Sequence, residues 1–152
     1  MCRDQGYLVI QDALDHAEVL SRQAAALEPG NPLILHGLGL VLRLQGRAPE
    51  AIPYYDRAAR VAPTSPIILE SRGSLLRDLG RFDEAEKQYL ATLEVDPDFA
   101  NAHWGLGTLY WSMGWPDKAI PWFENAARLG RHLAVNTSDA VPLPWADRLV
   151  LD

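Results

Sequence analysis

Glycine recurs at two fixed phases along this chain, at Gly39, Gly73 and Gly107 and again at Gly46, Gly80 and Gly114, with 34 residues between members each time. The same interval links Ala51, Ala85 and Ala119, then Tyr55, Tyr89 and Phe123, then Pro29, Pro63 and Pro97. Glycine makes up roughly 7% of average sequence, so two glycine triplets in phase with three other series are not a chance pattern. A period of this length marks a repeat protein, in which one supersecondary unit is copied and stacked on its neighbours.

Each period divides into two helical stretches. Leu35–Gln45, Leu69–Leu79 and His103–Met113 carry apolar residues at helical spacing; Leu35, Leu38 and Leu42 share one face, as do Leu106 and Tyr110, with Trp104 at its edge. Gly46, Gly80 and Gly114 then stop the helix, because glycine takes the left-handed conformation at a helix end without a Cβ clash. Pro49–Val61, Asp83–Val95 and Asp117–Leu129 follow as second amphipathic helices, and Pro63 and Pro97 end two of them. Gly39, Gly73 and Gly107 fall inside the first helix, where glycine costs about 1 kcal/mol against alanine. A cost repeated at one phase implies close approach. The partner expected is the helix returning through Ala51, Ala85 or Ala119, with Tyr55, Tyr89 and Phe123 filling the space between pairs.

This set of marks resembles the tetratricopeptide repeat family. Its leucine–glycine pair is matched by Leu38–Gly39 and Leu106–Gly107, with Arg72–Gly73 departing in the middle repeat. Its alanine, aromatic, alanine and proline marks are matched by Ala51, Tyr55, Ala58 and Pro63, while Thr92 and Arg131 stand where the family prefers alanine and proline. The resemblance covers about residues 3–133. It implies an all-α fold, a right-handed α-solenoid of antiparallel helix pairs, with repeats at 32–65, 66–99 and 100–133. A degenerate repeat is expected over 1–31, where Leu14, Ala17, Ala24 and Pro29 keep the second-helix spacing and Gly6 and Val9 offer a shortened first helix. Residues 134–152 lack repeat marks yet include Val141, Leu143, Trp145, Leu149, Val150 and Leu151. A solenoid end needs a cover, so this tail is expected to cap the last pair with Trp145 to Leu151 as a short helix. Docking in a groove, or leading into a further domain, are the alternatives.

Family members hold other polypeptides on the concave face lined by the first helices. Carried onto this sequence, that face takes His36, Leu40 and Arg43, then Glu70, Ser74, Arg77 and Asp78, then Asn101, Trp104, Thr108 and Trp111. Chaperone-binding members clamp a terminal carboxylate with lysine and asparagine. The matching places here hold His36, Leu40, Glu70, Ser74, Trp104 and Thr108, so that clamp is absent, and Glu70 would repel a carboxylate. Arg43 and Arg77 could form charge-assisted bonds, and the tryptophans could anchor apolar side chains. Against this stand plainer roles: Arg77 pairing with a neighbouring carboxylate, and either tryptophan ring packing on the next helix. Trp115 is expected to cover the inter-helix turn, Trp122 to pack in the core or on the outer face, and Pro53 and Pro121 to bend the second helices slightly on their outer side.

The rest of the sequence offers little chemistry. The net charge of −6, from 14 basic and 20 acidic residues, lacks the basic excess that displaces counterions from nucleic acid. His16, His36, His103 and His132 are not at metal-ligand spacing, and the single cysteine, Cys2, allows no disulfide within one chain. Gly37–Gly39 and Gly105–Gly107 lack the third glycine and the preceding strand of a dinucleotide loop. Acidic clusters such as Asp83, Glu84 and Glu86 suit a helix N-terminus. Asn136–Thr137–Ser138 is a chance-level glycosylation sequon. No cofactor, metal or catalytic residue is expected, and no run of about 18 apolar residues suggests a membrane span. The expected role is that of a cytoplasmic, non-enzymatic scaffold or adaptor that binds a peptide segment of a partner in its groove. The alternatives are a regulatory or targeting module of a larger enzyme, of glycosyltransferase or sulfotransferase type, and a protein that self-associates through its terminal repeats.

Overall fold

Proline and glycine punctuate the chain into its helices. The computed structural model describes the backbone of residues 2–135 and the side chains of residues 6–130. Seven helices follow one another: α1 (Cys2–Leu27), α2 (Pro32–Leu44), α3 (Ala48–Val61), α4 (Pro66–Asp78), α5 (Phe82–Val95), α6 (Ala100–Ser112) and α7 (Pro116–Val135). Among the described residues there is no strand. The first helix of each pair begins about one turn earlier than the hydrophobic spacing alone suggested, because Pro32 and Pro66 sit in the first turn, where no intrahelical amide bond is lost. Asn31 caps α2, its side-chain oxygen accepting from the Leu33 amide at 3.0 Å.

The inner turns are built alike three times. Gly46, Gly80 and Gly114 have φ of +78°, +75° and +77°. Behind them the amides of Arg47, Arg81 and Trp115 each donate at 2.9 Å to the carbonyls of Leu42, Leu76 and Tyr110. That is the Schellman closure, in which a left-handed glycine lets the chain reverse and satisfies orphan carbonyls. The reversal lays α3 on α2, α5 on α4 and α7 on α6, and each pair stacks on the next, giving an all-α solenoid.

The core is the repeated contact between these helices. Leu38, Leu42, Ala51 and Tyr55 pack with Leu75 of the following pair, and Leu76, Ala85 and Tyr89 pack with Leu106 and Leu109. The close approach that the in-helix glycines signalled is real and is made to the returning helix, through the aromatic ring that this helix carries one turn after its alanine. A Cβ on Gly39 would lie 2.9 Å from Tyr55, one on Gly73 2.9 Å from Tyr89, and one on Gly107 2.7 Å from Phe123. Gly105 meets the Tyr89 ring as well, from the next pair, so two glycines seat one tyrosine. Only the glycine hydrogen leaves room for a ring flat against a helix.

The N-terminal stretch differs from the expected helix pair. Gly6 and Val9, read as a separate first helix, lie exposed within the continuous α1. No proline or left-handed glycine interrupts residues 7–27, so nothing breaks the helix there. Leu14, Ala17 and Ala24 are half-buried, while Tyr7, Leu8, Ile10 and Leu20 are exposed; α1 packs on α2 alone among the described residues. Pro53 and Pro121 lie inside α3 and α7 on exposed faces. The capping role of residues 134–152 and the helix over Trp145 to Leu151 fall almost wholly outside the described residues.

Candidate functional site

The first helices of successive pairs touch: α2 meets α4, and α4 meets α6. No such approach occurs between α3 and α5 or between α5 and α7. A stack that is tighter on one side curves toward it, so α2, α4 and α6 form the inner, concave wall. The exposed stripe of each inner helix is fixed by what its other face buries. On α2, Leu35, Leu38, Gly39 and Leu42 are buried, which leaves Leu33, His36, Leu40, Arg43 and Leu44 toward the groove. One and two periods later the same register holds Ile67, Glu70, Ser74, Arg77 and Asp78, of which Ser74 is buried, then Asn101, Trp104, Thr108, Trp111 and Ser112.

At the α6 end the wall is aromatic. Trp104 and Trp111 are 59% and 61% exposed. Trp104 also leans on Phe123, with ring centroids 4.9 Å apart, so it is steadied from below while its outer face stays open. Two turns separate the pair along the helix, about 10 Å. Covering the exposed part of one such ring removes on the order of 100 Å² of apolar surface, or about 3 kcal/mol. The other tryptophans are spent elsewhere. Trp122 packs against His103 at 5.6 Å between centroids. Trp115 stacks on Tyr110, and the Lys118 ammonium lies 4.1 Å from the centre of the Tyr110 ring.

At the α2 and α4 end the wall is polar and interconnected. Arg43 of α2 donates to Asp78 of α4 at 2.9 Å, and Arg77 reaches the other oxygen of the same carboxylate at 3.3 Å. Two guanidiniums thus share one aspartate. Beside them Glu70 accepts from Ser74 at 2.8 Å and, more distantly, from Ser71 at 3.4 Å. With Ser74 donating to Glu70, the Tyr89 hydroxyl is left to donate to Ser74 Oγ, at 3.0 Å. Ser71 in turn shares a 2.8 Å hydrogen bond with His36 Nε2. Partial burial pushes the Glu70 carboxyl above its ordinary range, and the serines, Arg43 and Arg77 offset that only in part. Burial also lowers His36, which Arg43 reinforces, so this imidazole favours the neutral form.

The expected site residues therefore divide by role. His36, Glu70 and Ser74 join one hydrogen-bond chain, and Arg43, Arg77 and Asp78 form one ionic cluster. Thr108 donates to the Trp104 carbonyl at 2.8 Å and is committed to its own helix. Leu40 is half-buried, and Asn101 is exposed at the start of α6. Sequence reasoning missed Leu33, Leu44 and Ile67, which are exposed on the same stripes. Their signal was present: Leu33, Leu40 and Leu44 are spaced by seven and four residues, one helix face opposite the buried one. Away from the groove, a shallow recess of about 340 Å³ is lined by Pro29, Gly30, Leu35, Arg57, Arg60 and Val61. Its Arg57 guanidinium is engaged by the Pro29 carbonyl at 2.9 Å, and none of the groove stripes enters it except beside Leu35.

Comparison with known proteins agrees with this architecture. Two models described as tetratricopeptide repeat match, one over residues 30–98 and one over residues 71–134. No curated protein sequence matches the chain. Among solved structures, MamA MSR-1 is similar at 27% identity, covering 82% of this chain and 72% of its own, with a TM-score of 0.64. YrrB, described as a TPR protein with an unusual peptide-binding site, is 26% identical over 80% of this chain and 62% of its own, with a TM-score of 0.66. PilF of Pseudomonas aeruginosa, at 22% identity and a TM-score of 0.69, covers 95% of this chain and 66% of its own and shares the fold. With three helix pairs punctuated at one period and family models reaching together from residue 30 to residue 134, this chain belongs to the tetratricopeptide repeat family.

Proposed function

We propose that this protein is an interaction scaffold that holds a peptide segment of a partner protein in the groove of α2, α4 and α6. The observation that carries the reading is the exposure of Trp104 and Trp111 on the inner wall, in line with Arg43 and Arg77. Large exposed aromatics on a concave surface, flanked by arginine, are the usual anchors of protein interfaces. The ligand that fits offers an aromatic or aliphatic side chain to the tryptophans and a carboxylate to Arg77. Arg77 makes a single long contact among the described residues, with its neighbour Asp78, and most of its donors are unspent. YrrB, which shares the fold, is described as binding peptide, which supports the class of ligand.

The apolar term dominates. Each tryptophan contributes up to about 3 kcal/mol when covered, against about 0–1 kcal/mol for a solvent-facing ion pair. Affinity capture with the intact chain, set beside a Trp104→Ala, Arg77→Ala double variant, tests the assignment. Loss of partners from the variant is the expected result, and identical partner sets would remove the groove from consideration.

A second reading, self-association, rests on α1. Its Tyr7, Leu8, Ile10 and Leu20 are exposed, and α2 is the one helix among the described residues that α1 meets. Light scattering over a concentration series tests this reading, and a constant monomer mass overturns it.

A further inference from the structure

The seventeen residues that follow α7 carry the chemistry that the groove would recognise. Residues 136–152 include Leu143, Trp145, Leu149 and Leu151 as apolar side chains, and Asp139, Asp147 and Asp152 against the single base Arg148. On the groove side stand two exposed tryptophans and two guanidiniums that share one aspartate. We propose that the segment around Trp145 and Asp147 docks in the groove of its own chain, Trp145 against the Trp104–Trp111 wall and Asp147 toward Arg77. This inference rests on the groove being the binding surface, and it makes the chain's own tail a competitor of any partner.

Geometry and tethering favour the contact. The helix α7 runs antiparallel to α6, so it delivers the chain toward the end of α6 where Asn101 and Trp104 lie. From Val135 to Trp145 an extended chain spans at most about 35 Å. The inner helices are about 20 Å long and neighbouring helices lie about 10 Å apart, so the whole wall is within reach. A tether of about ten residues sets an effective concentration on the order of millimolar, enough for a weak contact to be occupied much of the time. Charge adds direction. Asp147 meets an arginine most of whose donors are unspent, a gain that outweighs repulsion from Glu70, and Arg148 beside it can face the exposed Asp78.

Other surfaces offer this segment less. The free face of α1 is apolar, but its charged residues with described side chains are mostly acidic, Asp12, Asp15 and Glu18 against Arg22, and Arg22 is already bound by Glu18 at 2.8 Å. The recess near Pro29 is basic but has no aromatic wall.

The test uses the full chain with a photo-crosslinking phenylalanine analogue at position 145, in a mixture of isotopically light and heavy protein. Crosslinks within one copy to the inner faces of α4 and α6 are expected, falling at least about fivefold in a Trp104→Ala, Trp111→Ala background that keeps its helical circular dichroism. Crosslinks confined to α7, to α1 or to the outer helices overturn the proposal, as do crosslinks between copies or none at all. A second measurement titrates a labelled synthetic peptide of residues 139–152 into the full chain. Binding about tenfold tighter to a Trp145→Ala, Leu149→Ala chain than to the unaltered one is expected, since the altered tail no longer competes. Equal affinities overturn it. If partner capture still depends on Trp104 and Arg77 while these tail experiments fail, the groove stands and the tail assignment alone falls.

Discussion

A Cβ placed on Gly73 would stand 2.9 Å from Cε1 of Tyr89, closer than real side chains approach, so the ring lies flat on the helix backbone. The two residues come from opposite helices of one pair, and their counterparts, Gly39 with Tyr55 and Gly107 with Phe123, repeat the arrangement. This contact sets how near the two helices of a pair can lie.

Gly73→Ala is therefore expected to destabilise the protein by about 1–3 kcal/mol, even though alanine is the better helix former by about 1 kcal/mol. Gly37→Ala makes the opposite prediction. Gly37 is also inside a helix, but nothing lies within 4 Å of its missing Cβ. Urea unfolding should show Gly37→Ala stabilising by about 0.5–1 kcal/mol. A stabilised Gly73→Ala would show that the ring can move aside.

Tyr55 and Tyr89 occupy the same place in successive repeats but differ in their hydroxyls. The Tyr89 hydroxyl bonds Ser74, whereas the buried Tyr55 hydroxyl makes no well-formed hydrogen bond among the described residues; its pKa is pushed up to about 12 chiefly by burial, which the nearby Arg43 guanidinium offsets only in part. Tyr55→Phe removes an unsatisfied group and should be neutral or stabilising. Tyr89→Phe should cost about 1 kcal/mol. Phe123 already fills the equivalent position of the last repeat. Thermal unfolding of the two variants checks the difference, and equal losses would contradict it.

Glu70 gives a pH dependence of unusual sign. Its folded pKa is raised above the ordinary value by burial, so the folded state holds a proton more tightly than the unfolded chain. Its contribution to stability is present at low pH and is lost as pH rises from about the unfolded carboxylate value through the raised one. His36, lowered by burial, has the opposite slope at somewhat higher pH: its contribution is lost as pH falls. Glu70→Gln isolates the first effect. The variant should gain stability over the wild type as pH rises above about 4.5, while the difference shrinks toward more acid solution. Denaturant titrations across that range give the measurement, and a constant difference would leave Glu70 without this role.

Asp78 joins Arg43 and Arg77, and among the described residues no other carboxylate holds both. Asp78→Asn should cost about 1–2 kcal/mol, because Asp78 is about a third exposed while the Arg43 and Arg77 side chains it holds are only 19% exposed. The freed guanidiniums should then bind an acidic, tryptophan-containing peptide more tightly, with a steeper loss of affinity in salt. Calorimetric titration at two ionic strengths reads both effects. Weaker binding in the variant would mean that Asp78 itself contacts the ligand.

The sequence by itself determined the period, the helix pairs and the inner face. Those features follow from local rules: apolar spacing sets which face is buried, and a left-handed turn requires glycine at Gly46, Gly80 and Gly114. The register then placed Trp104 and Trp111 on one stripe with Arg77. Tertiary structure decided what crosses between elements. The partner of Gly73 proved to be an aromatic ring, Gly105 proved to share it, and α1 proved to be one unbroken helix. Asp78 was legible as a groove residue, but its bridging of Arg43 and Arg77 was not. Arg43 and Asp78 are 35 residues apart, and their contact depends on how closely α2 and α4 approach, which the stacking of one helix pair on the next decides rather than any local pattern.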